Sequence, residues 1–415
     1  MKNYSGISDF FKKKEIEMVI LLYILAILIL GLSMQPLDEL FLGLKKIFLS
    51  SGILVTDYIE IGGMGPTLVN AGIVALIGYL ILLLNKVSFR GMAIAVIFTM
   101  MGFAFMGKNI WSILPIIVGV FIYSKATGRE FVTNIYPALF GTALAPLVTE
   151  AAFGFGWGIL GGIIIGILAG IVISPLASHV LSFHEGYNLY NVGFTAGFVG
   201  LVFINVIRGY GFDTESLLIW ASEYDAYLRT FAIIIFSSMI VIGIIIGKNK
   251  IRDYYEILKH SGTLITDFVN IAGFGNTLIN MGLVGLIGVI YIQLVGGNFN
   301  GPTISGLFTM AGFAAFGKHP FNIIPIMAGV WLGSFFSIYQ ANAPGTLLAA
   351  LFGTTLAPIA GQFGPIIGIL AGMVHLYIAS TIGITHGGLN LYNNGFAAGF
   401  VAAFFVAISK GVRKD

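Results

Sequence analysis

Apolar residues run along this chain in blocks of about 17 to 24, parted by short polar interruptions. In the first half they cover about 17–34, 66–85, 91–107, 109–126, 133–150, 157–180 and 188–207. Blocks of that length match the hydrocarbon core of a bilayer, so the pattern predicts an all-α polytopic transmembrane bundle. The first block, EMVILLYILAILILGLSM from Glu17 to Met34, follows Lys12, Lys13 and Lys14 but lacks a small-x-small cleavage context. It reads as a retained span rather than a signal peptide.

The blocks recur in one order. SSGILVTDYIEIGGMGPTLVNAG from Ser50 pairs with HSGTLITDFVNIAGFGNTLINMG from His260, and MGFAFMGKN around Lys108 with AGFAAFGKH around Lys318. LFGTALAPL from Leu139 pairs with LFGTTLAPI from Leu351, and HEGYNLYNVGFTAGF from His184 with HGGLNLYNNGFAAGF from His386. The order of domains is therefore a terminus at 1–15, a first transmembrane repeat at 16–208, a polar connector at 209–227, a second repeat at 228–409 and a tail at 410–415. Seven segments per repeat is an odd number, which places the second repeat upside down relative to the first. Residues 91–107 and 133–150 are short and broken by Gly or Pro, so re-entrance of an adjacent pair would lower fourteen crossings to ten and leave the inversion intact.

Charge changes the picture next. Lys12 to Lys14 precede the first span, whereas Lys248, Lys250 and Arg252 follow its counterpart, so the basic flank has switched ends. The positive-inside rule then puts the amino terminus in the cytoplasm and the connector, with Asp213, Glu215, Glu223 and Asp225, outside. Lys86, Arg90, Lys125, Arg129, Lys318 and the tail with Lys410, Arg413 and Lys414 fall inside. Lys108, Arg208 and Arg229 fall outside and disagree. The expected location is the plasma membrane, with both termini cytoplasmic.

Composition then removes whole classes of function. The 415 residues are 57% hydrophobic and 9% charged, and none is cysteine. Disulfides, thiolate metal sites and cysteine nucleophiles are excluded, and the six histidines show no HxxxH or HExxH spacing. The net charge of +3 forms no basic patch, which excludes nucleic acid as a partner. Neither a metal, a cofactor nor an enzymatic activity is expected.

The candidate chemistry lies in what both repeats retain. Asp57 and Asp267 sit in glycine-broken stretches typical of a discontinuous helix, where a carboxylate can bind a cation or carry a proton, or can simply cap a helix. Lys108 and Lys318 could attract an anion, pair with those aspartates, or snorkel to the interface. Asn188 with Asn191, and Asn390 with Asn393, lie three residues apart, as if on one helix face, beside His184 and His386. Their carboxamides suit a small polar solute. Gly193 with Gly197 and Gly395 with Gly399 form ridges for close helix packing. Thr142 and Thr354 accompany the breaks at FGTALAP and FGTTLAP, and Phe103, Phe105, Phe313 and Phe316 are candidate gates.

HEGYNLYNVGFTAG resembles, locally, the His-x-Gly-Tyr-Asn pattern of bacterial urea transporters, whose halves are inverted repeats around a solute path. The second copy departs at Leu389, and the proline-phenylalanine slot motif of that family is missing. As a whole the chain resembles an uncharacterised family of duplicated prokaryotic membrane proteins. The expected function is a channel or an ion-coupled transporter for a small polar or charged solute with its path between the two repeats: the paired aspartates favour coupling to H+ or Na+, whereas the resemblance to the urea transporters implies a passive path. Membrane lipid and a second copy of the chain are the other expected partners. The rival is a flavin-carrying membrane redox subunit with its cofactor on Thr142 or Thr354.

Overall fold

Asn3–Ser33 forms the first helix (α1) of a computed structural model that describes residues 3–247 and 251–413. Lys248, Lys250 and Lys414, and the side chains of Lys12, Lys13 and Arg413, all used in the charge argument, lie outside the described residues. After α1 come α2 (Leu37–Leu49), α3 (Tyr58–Gly62), α4 (Met64–Leu84), α5 (Gly91–Phe103), α6 (Ile110–Ala126), α7 (Ile135–Gly141), α8 (Ala145–Thr149), α9 (Gly158–His184) and α10 (Asn191–Gly209). The second half repeats the order as α11 (Asp225–Gly247), α12 (Tyr254–Lys259), α13 (Phe268–Leu294), α14 (Gly301–Phe313), α15 (Pro320–Phe335), α16 (Pro344–Gly353), α17 (Ala357–Phe363), α18 (Pro365–Ile382) and α19 (Asn393–Arg413). Among the described residues, strand-type pairing is limited to the isolated bridges Thr56–Ile219 and Asp57–Met106.

Among the described residues, ten helical stretches are long and apolar enough to cross a membrane, five in each half. Their outward faces carry Leu, Ile, Val and Phe, including Ile29, Leu160, Ile234, Ile290 and Phe404, which only lipid can cover. The chain is a multi-pass membrane protein. The pair α5–α6 in the first half, and α14–α15 in the second, accounts for the difference between fourteen and ten. At 13 residues each, α5 and α14 are about 20 Å long, roughly two-thirds of the hydrocarbon thickness. The other segment expected to be short, 133–150, is instead carried by 3₁₀ and π turns through Phe131–Gly154, a stretch of 24 residues.

Ending a helix inside a bilayer leaves carbonyls that water cannot reach, and two asparagines take them up. Asn70 on α4 donates to the carbonyls of Ala104 and Lys108, both at 2.8 Å; Asn280 on α13 donates to those of Ala314 and Lys318, at 2.8 and 2.7 Å. The helix breaks read from glycine are present at Gly63, with φ +92°, and at Gly273, with φ +81°, where a side chain would be strained.

The two halves meet in reciprocal contacts. A Cβ on Gly102 would lie 2.8 Å from the Ser305 carbonyl, and one on Gly312 would lie 2.7 Å from Phe98 Cβ, so α5 and α14 run antiparallel at close range. Likewise Gly193 abuts Tyr392 while Gly395 abuts Tyr190, and Gly197 abuts Phe396 while Gly399 abuts Phe194. Paired contacts of this kind are what a local twofold axis produces.

Two features escape the apolar pattern. Helix α2 is amphipathic: Leu40, Gly43 and Ile47 face inward while Phe41 and Leu42 are exposed beside Lys45 and Lys46, the form of a helix lying in the interface. The connector is also no loose tether. Val55 and Ile219 exchange backbone hydrogen bonds of 2.9 Å with Leu217 and Val55, so 217–221 lies over the loop that carries Asp57. At its start, Arg208 holds the Asp213 carboxyl below its usual range through a 2.8 Å hydrogen bond.

Candidate functional site

The twofold contacts bring four aromatic residues to the centre of the molecule. Tyr190 and Tyr392 touch with ring centroids 5.0 Å apart; Phe313 packs edge-on against Tyr190 at 4.5 Å and Phe103 against Tyr392 at 4.7 Å. Phe352 and Phe140 stack behind Phe103 and Phe313. The candidate gates therefore divide. Phe103 and Phe313 sit at the axis and Phe316 at its edge, but Phe105 is buried against Phe308.

Lys108 and Lys318 flank this cluster, and both are fully buried. Neither snorkels, neither lies on an aqueous loop and neither pairs with an aspartate, so both drop out of the inside-outside charge tally. The reason is the chain reversal after α5 and α14, which turns the lysines back toward the axis. Lys318 Nζ donates to Tyr190 Oη at 2.6 Å and to Thr354 Oγ1 at 2.8 Å, and sits 4.6 Å from the Tyr190 ring centroid. Lys108 Nζ lies 5.3 Å from the Phe103 centroid with no hydrogen-bond partner, and the hydroxyl of Tyr392, the counterpart of Tyr190, is not bonded to it and has only Thr99 within reach. Among the described residues the ion pairs, Arg208–Asp213, Lys259–Glu256 and Lys410–Glu185, are all at the surface.

A cavity of about 640 Å³ leads from one face of the molecule to these tyrosines. Arg129, Glu130 and Thr133 stand at its mouth, Tyr136, Ser174 and Asn191 along its wall, and Tyr190, Tyr392 and Phe313 at its floor. The corresponding region of the second half is packed shut. Tyr136 and Pro137 are partly exposed, whereas Leu348 and Ala349, which stand at the same offset as Thr354 from Thr142, are 5% and 0% exposed. His375, bonded to Asn394 at 3.1 Å, fills further space on that side.

Asp57 and Asp267 act as caps in this geometry. Asp57 accepts hydrogen bonds from the backbone N–H of Ile59 (2.9 Å), Ala221 (3.1 Å) and Gly301 (3.1 Å); Asp267 accepts from Val269 (3.1 Å), Gly91 (3.3 Å) and the Asn270 side chain (2.7 Å). Each carboxylate thus stands at the N-terminus of its own helix and of the short helix from the other half, where the helix dipole favours negative charge. Asp57 is sealed under the connector, while Asp267 is partly exposed beside the cavity.

The asparagines correct an expectation. Asn188 and Asn390 precede α10 and α19 rather than lying within them, so neither shares a helix face with Asn191 or Asn393. Asn188 donates to the Gly395 carbonyl at 2.9 Å and accepts from Thr355 Oγ1 and the Tyr190 N–H; Asn390 donates to Gly193 at 3.2 Å and accepts from the Tyr392 N–H. His184 pairs with Asn191 at 3.1 Å and His386 with Asn393 at 3.0 Å, and the two carboxamides also donate to Ala177 and Ala379. The block that begins at His184 and recurs at His386 is written twice because it ties the two halves together around the tyrosines. Replacing Asn188 with Ala is expected to remove about 1 kcal/mol of stability, taking the two bonds that cross to the other half, to Gly395 and Thr355, at ~0.6 kcal/mol each. A thermal unfolding curve checks it; an unchanged midpoint with lost activity would return Asn188 to solute binding.

Thr142 and Thr354 are fully buried, Thr142 bonded to the Leu139 carbonyl at 2.5 Å and Thr354 to Lys318. Neither offers the accessible hydroxyl that a covalently attached flavin needs. The residues that sequence reasoning passed over are Tyr190, Tyr392, Asn70 and Asn280. All four lie inside the repeated blocks, and their recurrence was the available signal.

A family model described as "Protein of unknown function (DUF1576)" matches residues 37–209 and 246–411, one region in each half. No curated protein and no solved structure matches the chain.

Proposed function

Because the chain belongs to the DUF1576 family, duplicated proteins to which no function is assigned, we propose its function from geometry: it is a transport protein that moves a small polar or charged solute along the interface of two inverted repeats. The observation that carries this reading is the one-sided cavity. It ends at the Tyr190–Tyr392 pair on the twofold axis, while Leu348 and Ala349 in the equivalent region of the other half are buried. The antiparallel packing of α5 against α14 supports inversion, since a twofold axis relating two antiparallel membrane helices lies in the membrane plane. Arg129 stands at the mouth and Arg90 in the adjoining groove, and under the positive-inside rule these charges favour a mouth on the cytoplasmic side. In this reading Asp57 and Asp267 hold the short helices against each other across the axis.

The test is stopped-flow light scattering of proteoliposomes shocked with urea, small amides, glycerol and salts of small anions, with and without imposed proton or sodium gradients. Solute-selective swelling at least about tenfold above protein-free liposomes is expected, and blockage of the cavity by Ser174→Trp should abolish it. Swelling that ignores the gradients would make the path a passive channel. Uptake only under a gradient would make it a coupled carrier. Flux indistinguishable from empty liposomes for every solute under every gradient would overturn the transport reading.

A further inference from the structure

Lys108 carries more information than its partner. In a bilayer interior a lone ammonium group is costly, so buried charges pair with counter-ions or with several acceptors. Lys318 has found acceptors within the protein, the hydroxyls of Tyr190 and Thr354. At Lys108 that arrangement is undone: Nζ has no partner, and Tyr392 Oη and Thr99 Oγ1 have only each other near enough to pair. Lys108 and Tyr392 flank the same Phe103 ring, at 5.3 and 4.7 Å from its centroid. A buried amine without a partner and a pair of buried hydroxyls thus stand behind the floor of the cavity, which the Tyr392 side chain helps to line.

We propose that Lys108, Tyr392 and Thr99 form a binding site for a small monovalent anion of the size of formate or nitrate, and that Lys318 with Tyr190, the twofold counterparts of Lys108 and Tyr392, forms a second one to which Thr354 adds a hydroxyl of its own. This rests on the transport reading above and names its solute class. A cation is excluded because the ammonium would repel it and no carboxylate lies in the cluster. A neutral amide could accept hydrogen bonds but would leave the charge on Lys108 uncompensated. An anion satisfies the charge and accepts from the two hydroxyls, and charge-assisted hydrogen bonds of this kind are about twice as strong as neutral ones. The two sites differ in one respect that suits passage. At Lys318 the anion must displace hydroxyl partners that are already in place, whereas at Lys108 the amine has no partner to give up.

Formate and formamide have nearly the same shape and differ in charge, so the wild-type chain in detergent and in liposomes provides the test. Formate and nitrate are expected to raise the thermal unfolding midpoint in a saturable way and formamide to leave it unchanged. Formate flux should exceed formamide flux by at least about tenfold. The shift with formate should be lost in Lys108→Met and weakened in Tyr392→Phe. If Lys108→Met does not fold, the wild-type comparison of formate with formamide still decides. Equal effects of the two would overturn the anion site. Flux of urea or glycerol with neither binding nor flux of anions would also overturn it, and would leave the transport reading standing. Saturable formate binding without flux of any solute would keep the anion site and overturn transport instead.

Discussion

A cysteine introduced at Tyr136 will react with a membrane-impermeant methanethiosulfonate reagent from the side bearing Arg129 and Glu130, and a cysteine at Leu348 will react at least about tenfold more slowly from either side. The two positions are structural counterparts, and both substitutions shorten a large side chain, so chemistry and local cavity formation are matched. What differs is access. Tyr136 lines the cavity, whereas Leu348 is 5% exposed beneath packed helices. The chain contains no cysteine, so the background is zero without further engineering. Right-side-out and inside-out vesicles give the orientation in the same experiment, because labelling of Tyr136→Cys only from the cytoplasmic face would fix the topology that the basic residues suggest. Comparable labelling of both positions, each from its own face, would sink the one-sided path. If solute added at the opposite face speeds the reaction at Leu348→Cys, the path alternates between two closures. A rate that ignores solute would indicate a channel that never exposes that side.

The segments, the duplication and the reduction to five crossings per half were legible in the sequence because each follows from local composition. A helix needs about 20 apolar residues to span, and the blocks at Gly91 and Gly301 do not have them. The site was only half legible. Lys108 and Lys318 stood out as charges kept in both copies, but their position between apolar segments also suited a lysine at the interface. What brings them inside is a chain reversal held by Asn70 and Asn280, and a side chain that satisfies carbonyls 34 and 38 residues away leaves no periodic trace. The asparagines of the repeated motif misled for the opposite reason. Their side chains have the groups a solute would need, and the structure gives those groups to the backbone of the other half instead. The connector was read as polar and external, but its pairing with Val55 and Asp57 depends on backbone groups that carry no sequence signature.

Leucine at Gly170 should prevent folding, whereas alanine at Gly209 should be silent. Gly170 on α9 and Gly119 on α6 form the crossing point of two long helices: a Cβ on Gly170 would collide with the Ile116 carbonyl, and one on Gly119 with the Ile167 carbonyl, while each would also lie 2.9 Å from the other glycine's Cα. The obstacles are backbone atoms in the middle of helices, so no side-chain rotation relieves them and the helices must separate. Small residues matter more at such crossings in a bilayer than in water, because apolar helix faces gain nothing by leaving lipid and hold together through close packing. Inserting groups into a packed core typically costs about 1–3 kcal/mol. A leucine that also parts two helices should cost more than about 3 kcal/mol, a large share of a total stability of roughly 5–15 kcal/mol. The second half repeats the crossing at Gly329 and Gly372 against the Ile369 and Ile326 carbonyls, so Gly372→Leu should fail in the same way. At Gly209 no atom lies within 4 Å of a Cβ, which makes Gly209→Ala the matched control. Size-exclusion profiles and unfolding midpoints in detergent read all three variants. A monodisperse Gly170→Leu protein with the wild-type midpoint would show that α6 and α9 are free to part, and the cavity wall that α9 supplies through Ser174 and Ser178 could then not be a rigid one.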